Sequence, residues 1–212
     1  MQKIETSLKP NRLNFGKDPF GYSALARHRL GIASTISGFP VDITKPATDN
    51  ELKNPVLWLT QAHALSEAAT AVLKKEQTFE TMPPLIRGVC DSQYCAVGLM
   101  LVGYSLEICL KSMMIMKEGV DGYKVIEKQN RHHRLHQLAN FIPELSEKEL
   151  AILRGLTHFV YWAGRYPDPG SGREDDAEDI FNIAEKYQIS AKDLFILSTK
   201  VMRHASEIAN SL

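Results

Sequence analysis

The chain has 212 residues, 44% of them hydrophobic and 24% charged. These are ordinary proportions for a globular protein, with enough length for one cored domain and an appended segment. Lys plus Arg and Asp plus Glu both number 25, so the formal net charge is zero. That balance excludes a global field drawing the protein onto nucleic acid or an acidic membrane and leaves only local patches.

Residues 1–54 are rich in chain-breaking residues: Pro10, Gly16, Pro19, Gly21, Gly31, Gly38, Pro40 and Pro46. They are expected to form a partly irregular N-terminal arm with one short helix at 22–32, wrapped on its own domain or on a partner. The N-terminus has no apolar leader core. The most apolar run, Tyr94 to Tyr104, falls short of the ~20 residues that span a bilayer. A cytoplasmic protein with no membrane partner is therefore expected. Cys90, Cys95 and Cys109 form no CxxC pair and are odd in number, which argues against a disulfide framework and for buried free thiols.

A bundle is expected over 55–212. Pro55 suits a first helical turn, and Val56, Leu59, Ala62, Leu65, Ala69, Val72 and Leu73 recur at helical spacing towards Glu76. Pro83-Pro84 breaks the chain. A helix apolar nearly all round follows, from about Ile86 to Lys117, and so should be central. Gly98 and Gly103 inside it point to close packing against a neighbour. Gly119 should end it, with a polar loop over 118–130. The segment RHHRLHQLANFIP reads as a short helix stopped by Pro143. Ser146 with Glu149 is a capping-box start for a helix over 147–165, which the Pro167 and Pro169 exit should stop. Helices from about Ala177 to Tyr187 and Ser190 to Asn210 close the chain, Ser190 pairing with Asp193 at the cap. No segment of useful length alternates with strand period. The fold class expected is all-α: an up-and-down antiparallel bundle of about five main helices.

Three constellations could carry chemistry. On the 147–165 helix, Arg154, His158, Tyr161 and Arg165 fall within roughly 60° on a wheel of ~100° per residue. They could grip a phosphate or carboxylate, or pair with acidic residues of a neighbouring helix. Glu107 and Lys111 are spaced i,i+4 in the order that favours an ion pair, or could line a groove. Arg131 and His136 form an Arg-x4-His pattern in which the imidazole could move protons while the guanidinium steadies phosphorane charge. The catalytic candidates are thus Arg131, His136, Arg154 and His158. No GxxxxGKS, GxGxxG, HExxH or GxSxG motif occurs, and the histidines lack a carboxylate at ligand spacing. Neither a metal nor a cofactor is expected.

Three pieces in order resemble the HEPN superfamily (higher eukaryotes and prokaryotes nucleotide-binding). They are Leu106-Glu107-Ile108-Cys109-Leu110-Lys111 on a long apolar helix, His133-x-Leu135-x-x-Leu138, and the Arg165-Tyr166-Pro167-Asp168 exit. The resemblance covers about 55–212. It implies a helical bundle that forms a homodimer, often in toxin–antitoxin, phage-defence or RNA-processing settings. Ribonuclease members carry Arg-x4-to-6-His. Here that spacing occurs at the short helix, and Arg154-x3-His158 is one residue too short. Members with the Arg-Tyr-Pro-Asp exit more often resemble non-catalytic binding versions. The resemblance thus implies a module holding a nucleotide or other anionic ligand, with Arg165, Tyr166 and His133 at its cleft and Glu107 and Lys111 ordering it. A metal-independent endoribonuclease acting on RNA and a structural module for a protein partner are the alternatives.

Overall fold

The computed structural model describes residues 10–211, which fall into two compact units divided between Leu57 and Trp58. The first nine residues of the expected arm lie outside the described residues. Every regular element among the described residues is helical, so the fold is all-α.

In the first unit, helices α1 (Leu13–Lys17), α2 (Pro19–Ala24), α3 (Ala26–Ile36) and α4 (Asp49–Leu52) replace much of the extended chain expected there. Local chemistry explains them. The Asp18 carboxylate accepts from the Gly21 amide at 2.8 Å with Pro19 in the first turn, and Thr48 and Glu51 close a capping box. Arg27 pairs with Glu51 at 3.2 Å and donates to the Lys45 carbonyl. A Cβ on Gly31 would sit 2.5 Å from Ile43 Cγ2, so the bare glycine lets the returning chain lie against α3.

The bundle is made by α5 (Pro55–Lys74), α6 (Arg87–Glu127), α8 (Glu147–His158), α9 (Asp175–Tyr187) and α10 (Ala191–Asn210), with α7 (Leu135–Leu138) a single turn between α6 and α8. α6 is the axis. It packs against α10, α7 and α8, and Leu106, Leu110, Met113 and Ile115 on it are almost wholly buried. Each such side chain contributes about 1.5–3 kcal/mol by leaving water. Both expected close approaches exist: a Cβ on Gly98 would strike Leu73, and one on Gly103 would lie 2.4 Å from Val160 Cγ2. By length and composition α6 could cross a membrane, but 67% of its most apolar window is buried inside the protein, as in a core helix.

Two expectations about α6 need correction. Gly119 does break it, with φ of 69°, but helix resumes at once and continues to Glu127, where a loop was expected. Tyr123 is the anchor: it is 2% exposed and meets Trp58 edge to face at 6.3 Å. The thiols are also not uniformly buried. Cys109 is, and burial pushes it up to about 12, but Cys90 is half-buried and Cys95 exposed.

The Ser146–Glu149 and Ser190–Asp193 capping boxes both form. They are also cross-linked: Lys200 of α10 reaches Glu149 at 2.9 Å, and Lys148 of α8 reaches Asp193 at 2.8 Å. The helix started by Ser146 does not run to Arg165 in α form. It widens into a π turn over Phe159–Ala163, in which the Gly164 amide donates to the Phe159 carbonyl five residues back.

Candidate functional site

Glu107 is 5% exposed in the middle of α6, where an unpaired carboxylate would be very costly. Its two oxygens have separate partners. Lys111 Nζ donates to Oε1 at 2.7 Å, and His133 Nδ1 lies 2.7 Å from Oε2. The Lys111 bond follows from i,i+4 spacing on one helix. The His133 bond is tertiary, joining α6 to the segment leading into α7. Tyr104 and Tyr161 meet the His133 ring edge-on, with centroids at 5.9 and 5.3 Å. A buried carboxylate thus fixes an imidazole between two phenols.

Thr157 holds the next turn. Its hydroxyl donates to the Leu153 carbonyl of its own helix and accepts from the Leu135 amide at 3.1 Å. That bond satisfies the first free N–H of α7, which has no side-chain cap of its own. Leu135 and Leu138 are wholly buried and turn His136 back along α8. There it is half-buried, and its Nδ1 has no hydrogen-bond partner among the described residues.

A cluster of cationic groups surrounds His136. Burial first, then the charges of Arg154, Arg134, His132 and His158, hold its pKa below the ordinary histidine value. His132 is lowered in the same way, by burial and then by Arg134 and Lys111. His158 Nε2 lies 2.8 Å from Asp179 Oδ2, a carboxylate supplied by α9.

The remaining sequence candidates fall elsewhere. Arg131 is exposed at the start of the segment leading into α7. It faces Tyr123, whose phenol is pushed up to about 12 by burial and by Glu127 and Glu107, with Arg131 opposing the rise. The guanidinium groups whose charges weigh most on His136 are those of Arg154 and Arg134. Arg165 is turned back onto its own helix. Beyond the π turn its guanidinium donates back to the Tyr161 carbonyl, capping its own helix, and lies 5.6 Å from the exposed Tyr166 ring. Tyr161 faces His133, and His158 faces Asp179. Sequence reasoning did not single out Arg134, Thr157, Asp179 or Tyr104. The run of histidines and arginines around Arg134 was the available signal for it, and the acidic run 174–179 was the signal for Asp179; nothing local marked Thr157 or Tyr104.

Among the described residues no group of three or more His, Cys, Asp or Glu side chains is placed to hold a metal ion. A separate cavity of about 340 Å³ is lined by Leu73, Leu99, Leu156, Phe159, Ile183 and Leu194, among others. Its apolar walls include none of the charged groups just described, so it is not part of this site.

No curated protein and no solved structure matches this chain. The HEPN domain family matches residues 91–188, a little under half of the chain, from the start of α6 to just past α9. That span contains Glu107, Lys111, His133, His136, Arg154, His158 and Asp179. That stretch of the chain is similar to the HEPN domain family.

Proposed function

We propose that residues 132–136 and the adjoining face of α8 bind the phosphate of a nucleotide or other anionic ligand, in a HEPN-like module that works as a homodimer. One observation carries the reading. The charges of Arg154, Arg134, His132 and His158 all weigh on half-buried His136, and among the described residues Asp179 is the carboxylate hydrogen-bonded to a member of that group. Like charges brought together disfavour one another, and a bound anion removes that penalty. The guanidinium groups supply bidentate donors. Tyr104 and Tyr161, beside His133, supply aromatic surface for a base. Glu107 and Lys111 order His133. Arg165 and Tyr166, at the Arg-Tyr-Pro-Asp exit, shape the end of the helix, and the phosphate grip lies at Arg134 and Arg154. A toxin–antitoxin or phage-defence setting fits such a module.

The test is calorimetric titration of the purified protein with adenosine and guanosine nucleotides and with a short RNA, at low salt. Sub-millimolar binding is expected, weakened at least tenfold in Arg154→Ala and in Arg134→Ala. Absence of wild-type binding at millimolar ligand would sink the reading.

A second reading has an observation of its own: His136 has a buried, unpartnered Nδ1 beside Arg154 and beside a His158 oriented by Asp179. In a metal-independent ribonuclease, a neutral imidazole takes the proton of a ribose 2′-hydroxyl as it attacks phosphorus. An imidazolium returns a proton to the departing 5′-oxygen. RNA cleavage that persists in EDTA and vanishes in His136→Ala and His158→Ala favours this reading. Cleavage indifferent to both changes removes these residues from the chemistry.

A further inference from the structure

Protein interiors are close-packed, and side chains that face a void lose dispersion contacts on that side. The bundle nevertheless keeps a cavity of about 340 Å³, with walls from α5, α6, α8, α9 and α10. Ile152 and Leu156 of α8 and Ile183 of α9 form its inner wall, and all three are buried. Cys95 of α6, Ala184 of α9 and Ala191 of α10 form its rim, and all three are exposed. Large aliphatic side chains at the back are thus reached from the surface past small ones. Space between the helices of a bundle, of this size and lining, is where small molecules bind.

The opening depends on Gly155, in the middle of α8. A Cβ there would meet only Ile183 Cγ2, at 3.8 Å, which is ordinary contact. A longer side chain at this position would enter the cavity, and most would also suit the helix better than glycine does. Charge is not provided for. Ser190 brings a hydroxyl to the wall, but it donates to Asp193 Oδ2 at 2.7 Å in its capping box. Lys148, which reaches the same loop, is held by Asp193 at 2.8 Å and by the Gln188 carbonyl at 3.1 Å. Its ammonium is therefore not free for a ligand carboxylate. Water finds few hydrogen-bond partners on such walls, and an ion would lose its hydration without compensation. A hydrocarbon surface restores the missing dispersion contacts and itself leaves water.

We propose that this cavity is a second ligand site, which takes an uncharged, mainly hydrocarbon small molecule with a ring or a short chain. The site is independent of the nucleotide reading above and shares no charged group with it.

Phenylnaphthylamine, an uncharged dye that fluoresces on leaving water, tests it. Saturable one-to-one binding to the full chain is expected, with a rise in the thermal midpoint. Anilinonaphthalene sulfonate carries the same rings and an added anion, and should bind at least tenfold more weakly. The uncharged dye should slow alkylation of Cys95, read by peptide mass spectrometry, with Cys90 as the internal reference. Gly155→Leu fills the cavity from within and Ala184→Leu narrows its rim. Each should weaken the dye at least tenfold while melting no lower than the wild type. Should either variant melt early, the Cys95 and two-dye comparisons on the wild type still decide. Nucleotide titration of the same variants reads the anion site separately. Equal binding of the two dyes, binding unchanged in both variants, or Cys95 alkylation indifferent to the dye overturns the site. Protection of Cys95 that grows with protein concentration and needs no dye places a second copy over the rim, and overturns it too.

Discussion

Glu107 and His133 are separated by 26 positions in sequence and by 2.7 Å in space. The same carboxylate holds Lys111, so one buried group satisfies a cation on its own helix and an imidazole on another element. Removing it leaves the Lys111 ammonium, 12% exposed, without its counter-charge.

Glu107→Gln is therefore expected to cost about 3 kcal/mol, because breaking a buried pair from one side strands the other charge. Lys111→Met in the same chain should return a large part of that loss, since replacing both partners leaves nothing stranded. Urea denaturation of the two single variants and the double variant measures both effects. Simple additivity of the two losses would mean that the pair is not coupled.

His136 makes stability depend on pH in a defined direction. Its folded pKa is lowered, by burial first and then by Arg154, Arg134, His132 and His158. The unfolded chain, with a value near 6.5, then binds more protons across the window below that pH. Its stabilising contribution is fully present above about pH 6.5 and is lost as pH falls from there towards the folded value. His132, lowered by burial and then by Arg134, acts in the same sense. A bound phosphate favours the protonated imidazole, so nucleotide affinity should rise over the same fall in pH, with proton uptake. His136→Phe is expected to flatten both dependences. Urea midpoints and calorimetric affinities between about pH 8 and pH 5.5 measure them; slopes unchanged in the variant would assign the titration elsewhere.

Three glycines should respond to alanine in different ways. A methyl on Gly103 would sit 2.4 Å from Val160 Cγ2, and one on Gly164 would sit 2.3 Å from Met100 Cβ and 2.9 and 3.0 Å from two carbonyl oxygens. Gly103→Ala is expected to destabilise by about 1–3 kcal/mol, and Gly164→Ala by more, because backbone cannot swing aside. Gly155→Ala meets only Ile183 at 3.8 Å, in mid-helix, and should stabilise by about 0.5–1 kcal/mol. Thermal melts of the three variants give the ranking.

These contrasts also mark what can be read without coordinates. Pro55, Ser146 with Glu149, and Ser190 with Asp193 announce three helix starts because capping chemistry is local. The apolar girdle of α6 and its Gly98 and Gly103 contacts were legible because a helix buried all round must touch neighbours. The Glu107–Lys111 bond is inherent in its spacing. The π turn was not legible: nothing in FVYWA distinguishes a widened turn from an α turn, and the turn is packed closely against α6. The helix after Gly119 was hidden because Gly119 and Gly122 punctuate it and because it depends on the burial of Tyr123. Pairing of the Arg154–Arg165 face with acidic residues of the next helix was legible, and His158 with Asp179 is such a pair; which acid meets which base was not, since 21 positions and a loop intervene.

Thr157 leaves α7 with a borrowed beginning. A four-residue helix has no permanence of its own, and the hydroxyl that receives its first amide belongs to α8. The turn that carries His133 and His136 is thus held in part by α8. Slow exchange at the Leu135 amide therefore reports the integrity of the whole cationic cluster, and a local loosening of α8 near Leu153 would dissolve that cluster as a unit while the α6 core stays intact.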